Sequence, residues 1–226
     1  LIEDSAIEYA SVDKIGGYEK REDYIQTHIE QILALPLVDV EAIKAKQFKV
    51  VVDAVNSTGS ISMRPLLEQL GCQVSVLNGE PTGIFAHNPE PLPENLSQLS
   101  QAVLRERADL GIAVDPDVDR LAFMCEDGDA FGEEYTLVAI SDYILKHTPG
   151  NTVSNLSSTR ALRDVTEKHG QQYTAAAVGE VNVVSKMKET NATIGGEGNG
   201  GIIYPALHYG RDALAGVALF LSHLAH

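Results

Sequence analysis

Hydrophobic positions along this chain switch repeatedly between helical and strand spacing, and the switching predicts the fold. Tyr24, His28, Ile32 and Leu35 recur at a spacing of three to four, on one face of a helix that Pro36 ends. A short helix is expected over 40–45. Phe48-Lys49-Val50-Val51-Val52-Asp53-Ala54-Val55 is a continuous β-branched run, typical of a strand buried on both faces. A helix over 61–70, stopped by Gly71, and a strand over 73–77 complete a βαβ unit, for which parallel pairing is expected. Pro, Gly and Asn make 81–93 a loop. Helix 96–107, strand 110–114, an acidic loop and strand 121–125 follow, and Gly128 marks a turn. A second block then alternates in the same way. It reads as helix 134–147, strand 152–155, helix 159–169, strand 173–176, helix 181–189 and strand 192–194. A glycine-rich loop over 195–201, strand 202–204 and an apolar helix over 212–226 complete it.

The expected class is therefore α/β, with two consecutive domains, each a mixed, largely parallel sheet flanked by helices. The boundary is placed near residue 130, giving domains at 22–130 and 131–226. Residues 1–21 lack periodicity and read as a leading arm or linker. With 226 residues, 44% of them hydrophobic, the chain can bury two modest cores or one large one, and two domains are favoured.

The net charge of −15 adds a constraint. It repels nucleic acid and anionic membrane surfaces, so neither is an expected partner. An anionic ligand would need local positive charge or a cation. Cys72 and Cys125 sit beside apolar residues and are expected as buried free thiols. There is no run of 18 apolar residues and no signal-peptide pattern, so the cytoplasm is the expected compartment. Leu1 is not an initiator methionine and the last helix has no Gly or Asn cap, which suggests a piece of a longer chain.

The segment Asp115-Pro116-Asp117-Val118-Asp119-Arg120 carries the clearest chemistry. Three carboxylates at alternate positions follow an apolar strand, where sites of open α/β sheets lie. Brought together in a tight loop, they would suit a hard cation such as magnesium, which prefers oxygen ligands. Without a cation they would repel one another. Arg120 could steer a phosphate. An EF-hand is disfavoured by Arg120 at the sixth loop position, by Pro116 and by flanking strands. A plain acidic turn is the competing reading.

A second motif, Gly195-Gly196-Glu197-Gly198-Asn199-Gly200-Gly201, lets backbone approach a ligand, and Glu197 and Asn199 suit sugar hydroxyls. A flexible turn is its alternative. Asn56-Ser57-Thr58-Gly59-Ser60 reads as a tight turn and helix cap and lacks the lysine of a nucleotide P-loop. Val178-Gly179-Glu180 reads as a connector, and His87 as a solvated loop histidine. No nucleophile elbow or Cys–His pair is found, so no catalytic residue is assigned.

These residues resemble the α-D-phosphohexomutases: phosphoglucomutase, phosphomannomutase and phosphoglucosamine mutase. The family's Asp-Gly-Asp-x-Asp-Arg metal loop stands here with Pro116 for Gly, and its Gly-Glu-x-Ser-Gly sugar loop with Asn199 for Ser. Segments 50–59, 87–91, 178–180 and Gly210-Arg211-Asp212 also look like family segments, in the expected order. The family's serine motif and its phosphate-gripping fourth-domain loop have no counterpart here, so the resemblance covers the second and third domains only. It implies an intramolecular phosphotransferase that interconverts hexose or hexosamine 1- and 6-phosphates through a phosphoserine and a bisphosphate. It implies Mg2+ on Asp115, Asp117 and Asp119, phosphate on Arg120, and a phosphosugar against Glu197, Gly198 and Asn199. The first and fourth domains of a parent chain would be the missing partners, leaving this piece inactive alone. A non-catalytic sugar-phosphate or metal-binding module is the alternative.

Overall fold

The structure is a computed structural model and describes residues 9–226. The expected leading arm lies partly outside those residues. Its described part, 9–21, is extended apart from one short turn at Val12–Lys14, with Tyr9 and Tyr18 exposed.

Strand β1 (Lys49–Asp53) pairs in parallel with β2 (Gln73–Leu77) and β3 (Leu110–Val114), and β4 (Leu121–Met124) closes the sheet antiparallel to β3. The register sets Val52 opposite both Val76 and Ile112, and Ala113 opposite Ala122. The second sheet repeats this plan. Strand β5 (Thr152–Asn155) pairs in parallel with β6 (Tyr173–Ala176) and β7 (Ile194–Gly196), and β8 (Ile202–Ile203) runs antiparallel to β7. The strand orders are β2-β1-β3-β4 and β6-β5-β7-β8.

Helices α1 (Tyr24–Leu33), α2 (Val40–Lys46), α3 (Gly59–Gln69) and α4 (Ser97–Glu106) come from the first half of the chain, and α3 and α4 pack on the first sheet. Helices α5 (Glu133–His147), α6 (Ala161–Lys168), α7 (Glu180–Thr190) and α8 (Ala213–Ala225) follow. Eleven of the thirteen residues of α8 are buried, because it packs on α1, α2, α3 and α5 at once. Phe220 of α8 stacks on Phe123 of β4 with ring centroids 3.9 Å apart. One continuous core therefore runs from Val50 and Ile112 through Phe123 and Phe220 to Ile194 and Ile202. Burying a phenylalanine of this kind contributes roughly 2–3 kcal/mol.

Three expectations change. The strand expected over 48–55 stops at Asp53, because Val55 and Asn56 take φ of 47° and 56°, the left-handed region that a strand cannot use. Gly195 and Gly196 belong to a strand rather than a loop. A Cβ on Gly195 would press on Met187 and on the carbonyl of Val153, and one on Gly196 would strike the carbonyl of Gly201. These two glycines serve close packing. Of the two thiols only Cys72 is buried, and burial pushes it up to about 12. Cys125 lies past the end of β4, in the turn that Gly128 N–H closes on its carbonyl, and is partly exposed.

Candidate metal centre and the loop that faces it

Asp115 directly follows β3, at the carboxyl end of a parallel strand, and its side chain is buried. Its Oδ1 accepts the backbone N–H groups of Asp119 and Arg120, each at 3.0 Å, which curls the loop back on itself. The curl needs Val118 at φ 63°, a strained conformation for a β-branched residue. Two anchors hold it. Val118 carbonyl accepts Ala213 N–H at 3.1 Å, and Pro116 carbonyl accepts the hydroxyls of Ser57 (2.9 Å) and Thr58 (2.6 Å). The Ser57–Thr58 turn was expected to cap α3. Neither hydroxyl does so, and both support the acidic loop instead.

Asp115, Asp117 and Asp119 each place a carboxylate oxygen within 4.8 Å of the others. Burial pushes the Asp115 carboxyl up to about 7, with the Asp119 and Asp117 charges adding to it against the Arg120 N–H bond. Asp119 Oδ1 is buried and accepts no hydrogen bond. A carboxylate oxygen left so is costly unless a cation faces it. Three carboxylates that bring hard oxygen donors this close, one of them with an oxygen free of hydrogen bonds, fit a magnesium ion.

Arg120 covers one side. Its Nη1 reaches Glu90 Oε1 at 2.6 Å, and its Nε lies 3.6 Å from Asp115 Oδ2 and 3.8 Å from Asp119 Oδ1. Pro89, Glu90, Asp115, Pro116, Asp117 and Arg120 line a cleft of about 230 Å³ there. His87 is largely covered rather than solvated. Its Nε2 lies 3.0 Å from Oδ2 of Asp53, a fully buried carboxylate that Asn78 Nδ2 also bonds at 2.9 Å. A charge inside an apolar strand needs partners, and Asp53 was the signal that could have found both.

The second loop faces the first. Leu121 N–H donates to Gly200 carbonyl at 3.2 Å. Gly200 has φ 87°, and a Cβ there would strike the Leu121 carbonyl, so no other residue fits this crossing. Glu197 is buried. Its Oε1 accepts from Asn155 Nδ2 (2.8 Å) and Gly179 N–H (3.3 Å), and its Oε2 from Arg211 Nη1 (2.8 Å). Asn199 Oδ1 accepts Gly201 N–H at 3.2 Å, and Gly198 packs against Ser158. Asn155 and Arg211 thus join the site; Asn155 carried no signal in the sequence, and Arg211 stood out only through the resemblance of Gly210-Arg211-Asp212 to a family segment. Val178-Gly179-Glu180 is more than a connector, because Glu180 Oε1 accepts Arg211 N–H at 3.2 Å.

Another polar cluster ties α1 to α8. His28 Nε2 and His208 Nε2 lie 2.7 and 3.0 Å from Asp212 Oδ2, beside a cavity of about 460 Å³. His208 Nδ1 accepts Gly210 N–H at 2.9 Å, so the ring proton sits on Nε2 and donates to Asp212. That tautomer makes His208 a hydrogen-bond donor rather than a metal ligand. Asp212 Oδ1 meanwhile caps α8 by accepting Ala215 N–H at 2.9 Å.

Two family descriptions match the chain. Phosphoglucomutase/phosphomannomutase α/β/α domain II matches residues 23–128, and domain III of the same family matches residues 132–226. The chain belongs to the phosphoglucomutase/phosphomannomutase family. It is 39% identical over 198 residues to a phosphoglucomutase/phosphomannomutase of Thermococcus kodakarensis, covering 87% of this chain and 43% of that protein. It is 34% identical over 212 residues to a phosphoglucosamine/phosphogalactosamine mutase of Sulfurisphaera tokodaii, covering 92% and 46%. A solved family protein from Burkholderia thailandensis superposes with a TM-score of 0.74 at 30% identity, covering 82% of this chain and 43% of that one. The chain spans about half the length of the curated relatives it matches. Among the described residues no helix is long and apolar enough to cross a membrane.

Proposed function

We propose that this chain is the central portion of a cytoplasmic phosphohexomutase. The enzyme interconverts a hexose or hexosamine 1-phosphate and 6-phosphate through a phosphoserine and a bisphosphate intermediate. In this reading residues 22–130 contribute the metal loop and residues 131–226 the sugar loop. The nucleophile and the grip on the second phosphate come from polypeptide beyond these 226 residues. One observation carries the reading: Asp115, Asp117 and Asp119 each bring a carboxylate oxygen to the same place at the end of β3.

Asp115, Asp117 and Asp119 would hold magnesium, which when bound supplies charge neutralisation at the transferring phosphoryl group. Arg120 contributes fixed positive charge beside that position and an exposed face toward the Glu90 cleft. Glu197 orients a sugar hydroxyl through Oε2, which carries one hydrogen bond and can accept another. Asn199 has its amide nitrogen available to donate, and Gly198 brings loop backbone toward the sugar, its missing side chain making room for Ser158. Binding and orientation are the larger part of catalysis in phosphoryl transfer, so these roles suit a site without a nucleophile of its own.

Two measurements test this. Mg2+ calorimetry on the 226-residue chain should show binding that Asp117→Asn weakens at least tenfold. In the longer polypeptide that the proposal requires, 1-phosphate to 6-phosphate interconversion should be present and should collapse with the same substitution. Turnover indifferent to Asp117→Asn would remove the metal assignment, and a full-length protein without turnover would remove the enzyme.

A further inference from the structure

Resting on that reading, we propose that Arg211 is a positioning residue that couples the metal loop to the sugar loop by holding one carboxylate of each. Its guanidinium is mostly covered and meets three acids from three different connections. Nη2 pairs with Asp119 Oδ2, Nη1 donates to Glu197 Oε2 at 2.8 Å, and Nε lies 3.5 Å from Glu180 Oε2. Asp119 belongs to the β3–β4 loop, Glu197 to the β7–β8 loop and Glu180 to the start of α7.

The pairing decides which oxygen faces which way. By occupying Oδ2 of Asp119, Arg211 leaves Oδ1 buried and free of hydrogen bonds, with Arg120 Nε 3.8 Å away, on a carboxylate that clusters with those of Asp115 and Asp117. By occupying Oε2 of Glu197 it completes a relay that continues to Asn155 Nδ2 and from Asn155 Oδ1 to the hydroxyls of Ser158 (2.6 Å) and Ser157 (3.1 Å). A rotation of Asp119 therefore pulls on Glu197, and a shift of the sugar loop pulls on Asp119. Only arginine does this, because its planar fork presents two separate nitrogens to two carboxylates, where lysine offers a single point charge. The stem of Arg211 lies against Gly201, and a Cβ at Gly201 would press on its Cγ and Cδ. The sugar loop thus also sets where the guanidinium sits.

Charge and positioning make opposite predictions. Were Arg211 only a counter-charge, Arg211→Gln would tighten cation binding and Arg211→Lys would leave it unchanged. As a positioning residue, Arg211→Lys weakens binding about tenfold with its charge intact, the usual penalty for losing a group that orients a metal ligand. Gly201→Ala, which alters no charge, weakens it in the same direction. Mn2+ binding to the 226-residue chain, read by electron paramagnetic resonance, measures all three. Hydrogen exchange on the unaltered chain adds a test that needs no variant. Mg2+ should slow exchange over 115–121 and also over 194–203, and in Arg211→Lys only over 115–121. Unaltered chain that binds no Mn2+ ends the metal reading itself. Unaltered chain that binds, with Arg211→Lys equal to it or with protection confined to 115–121, overturns the coupling alone.

Discussion

Asp115 has two jobs, and one substitution can separate them. Its Oδ1 satisfies two backbone N–H groups in a buried turn, while its charge belongs to the acidic triad. Asp115→Ala leaves both donors unmet and should cost about 2 kcal/mol or more, read by urea unfolding. Asp115→Asn keeps a carbonyl acceptor, so stability should stay within about 1 kcal/mol, while Mn2+ binding falls at least tenfold. At this scale the sequence was informative about donors and silent about partners. Alternating acids after an apolar strand are visible in a line of text. Arg211 stands 92 residues beyond Asp119; the Gly210-Arg211-Asp212 segment stood out by resemblance, but nothing local showed which acids it meets. His87 and Asp53 are 34 residues apart and were missed for the same reason. Ser57 and Thr58 were visible as turn residues, but hydroxyls that cap and hydroxyls that brace a distant carbonyl look alike in sequence.

Elements were read well in type and less well at their ends. The βαβ order, the helices and the parallel pairing follow from spacing, because burial on one helix face or both strand faces imposes a period. The ends depend on φ choices such as Val55 and on close approaches such as Gly195, which only tertiary structure decides. The contact between α1 and the start of α8 makes a prediction of its own. Burial pushes the Asp212 carboxyl up, but hydrogen bonds from His208, His28 and Ala215 N–H outweigh it and hold it at about 2. The Asp212 hydrogen bond raises His28, against partial burial. Asp212, lowered from 3.8, contributes stability that is complete above that value and lost as pH falls toward about 2, worth about 2 kcal/mol. His28, raised above 6.5, contributes stability that is complete below that value and lost as pH rises through its folded value. The groups facing this pair are His208 and, across the cavity, Asp117 and Arg211. Urea unfolding against pH should show both limbs. His28→Gln should abolish the alkaline limb and shrink the acid one, which His208 and Ala215 N–H still support, and Asp212→Asn should flatten both.

At the scale of the whole molecule, two sheets of identical plan share one core. The repeat of strand order was not legible, because the two halves reproduce a topology without reproducing a sequence period. Nor was the sharing: an apolar last helix could have covered its own sheet alone, yet α8 also fills the groove beside α1, α2 and α3. Two-domain readings invite the expectation of independent melting, and this core predicts otherwise. Phe220→Ala opens a cavity between Phe123 and Phe131 and should cost about 3–5 kcal/mol. Calorimetry should show one transition, before and after the substitution, and a persistent unshifted second peak would contradict the shared core. The place of α8 also bears on synthesis. Leu37 carbonyl bonds Tyr143, Asp39 N–H bonds Ser222, and α2 packs on α8. A growing chain exposes the apolar sides of α1 and α2 long before their cover exists. At ordinary elongation rates that wait is on the order of ten to thirty seconds, long enough for a chaperone to find them.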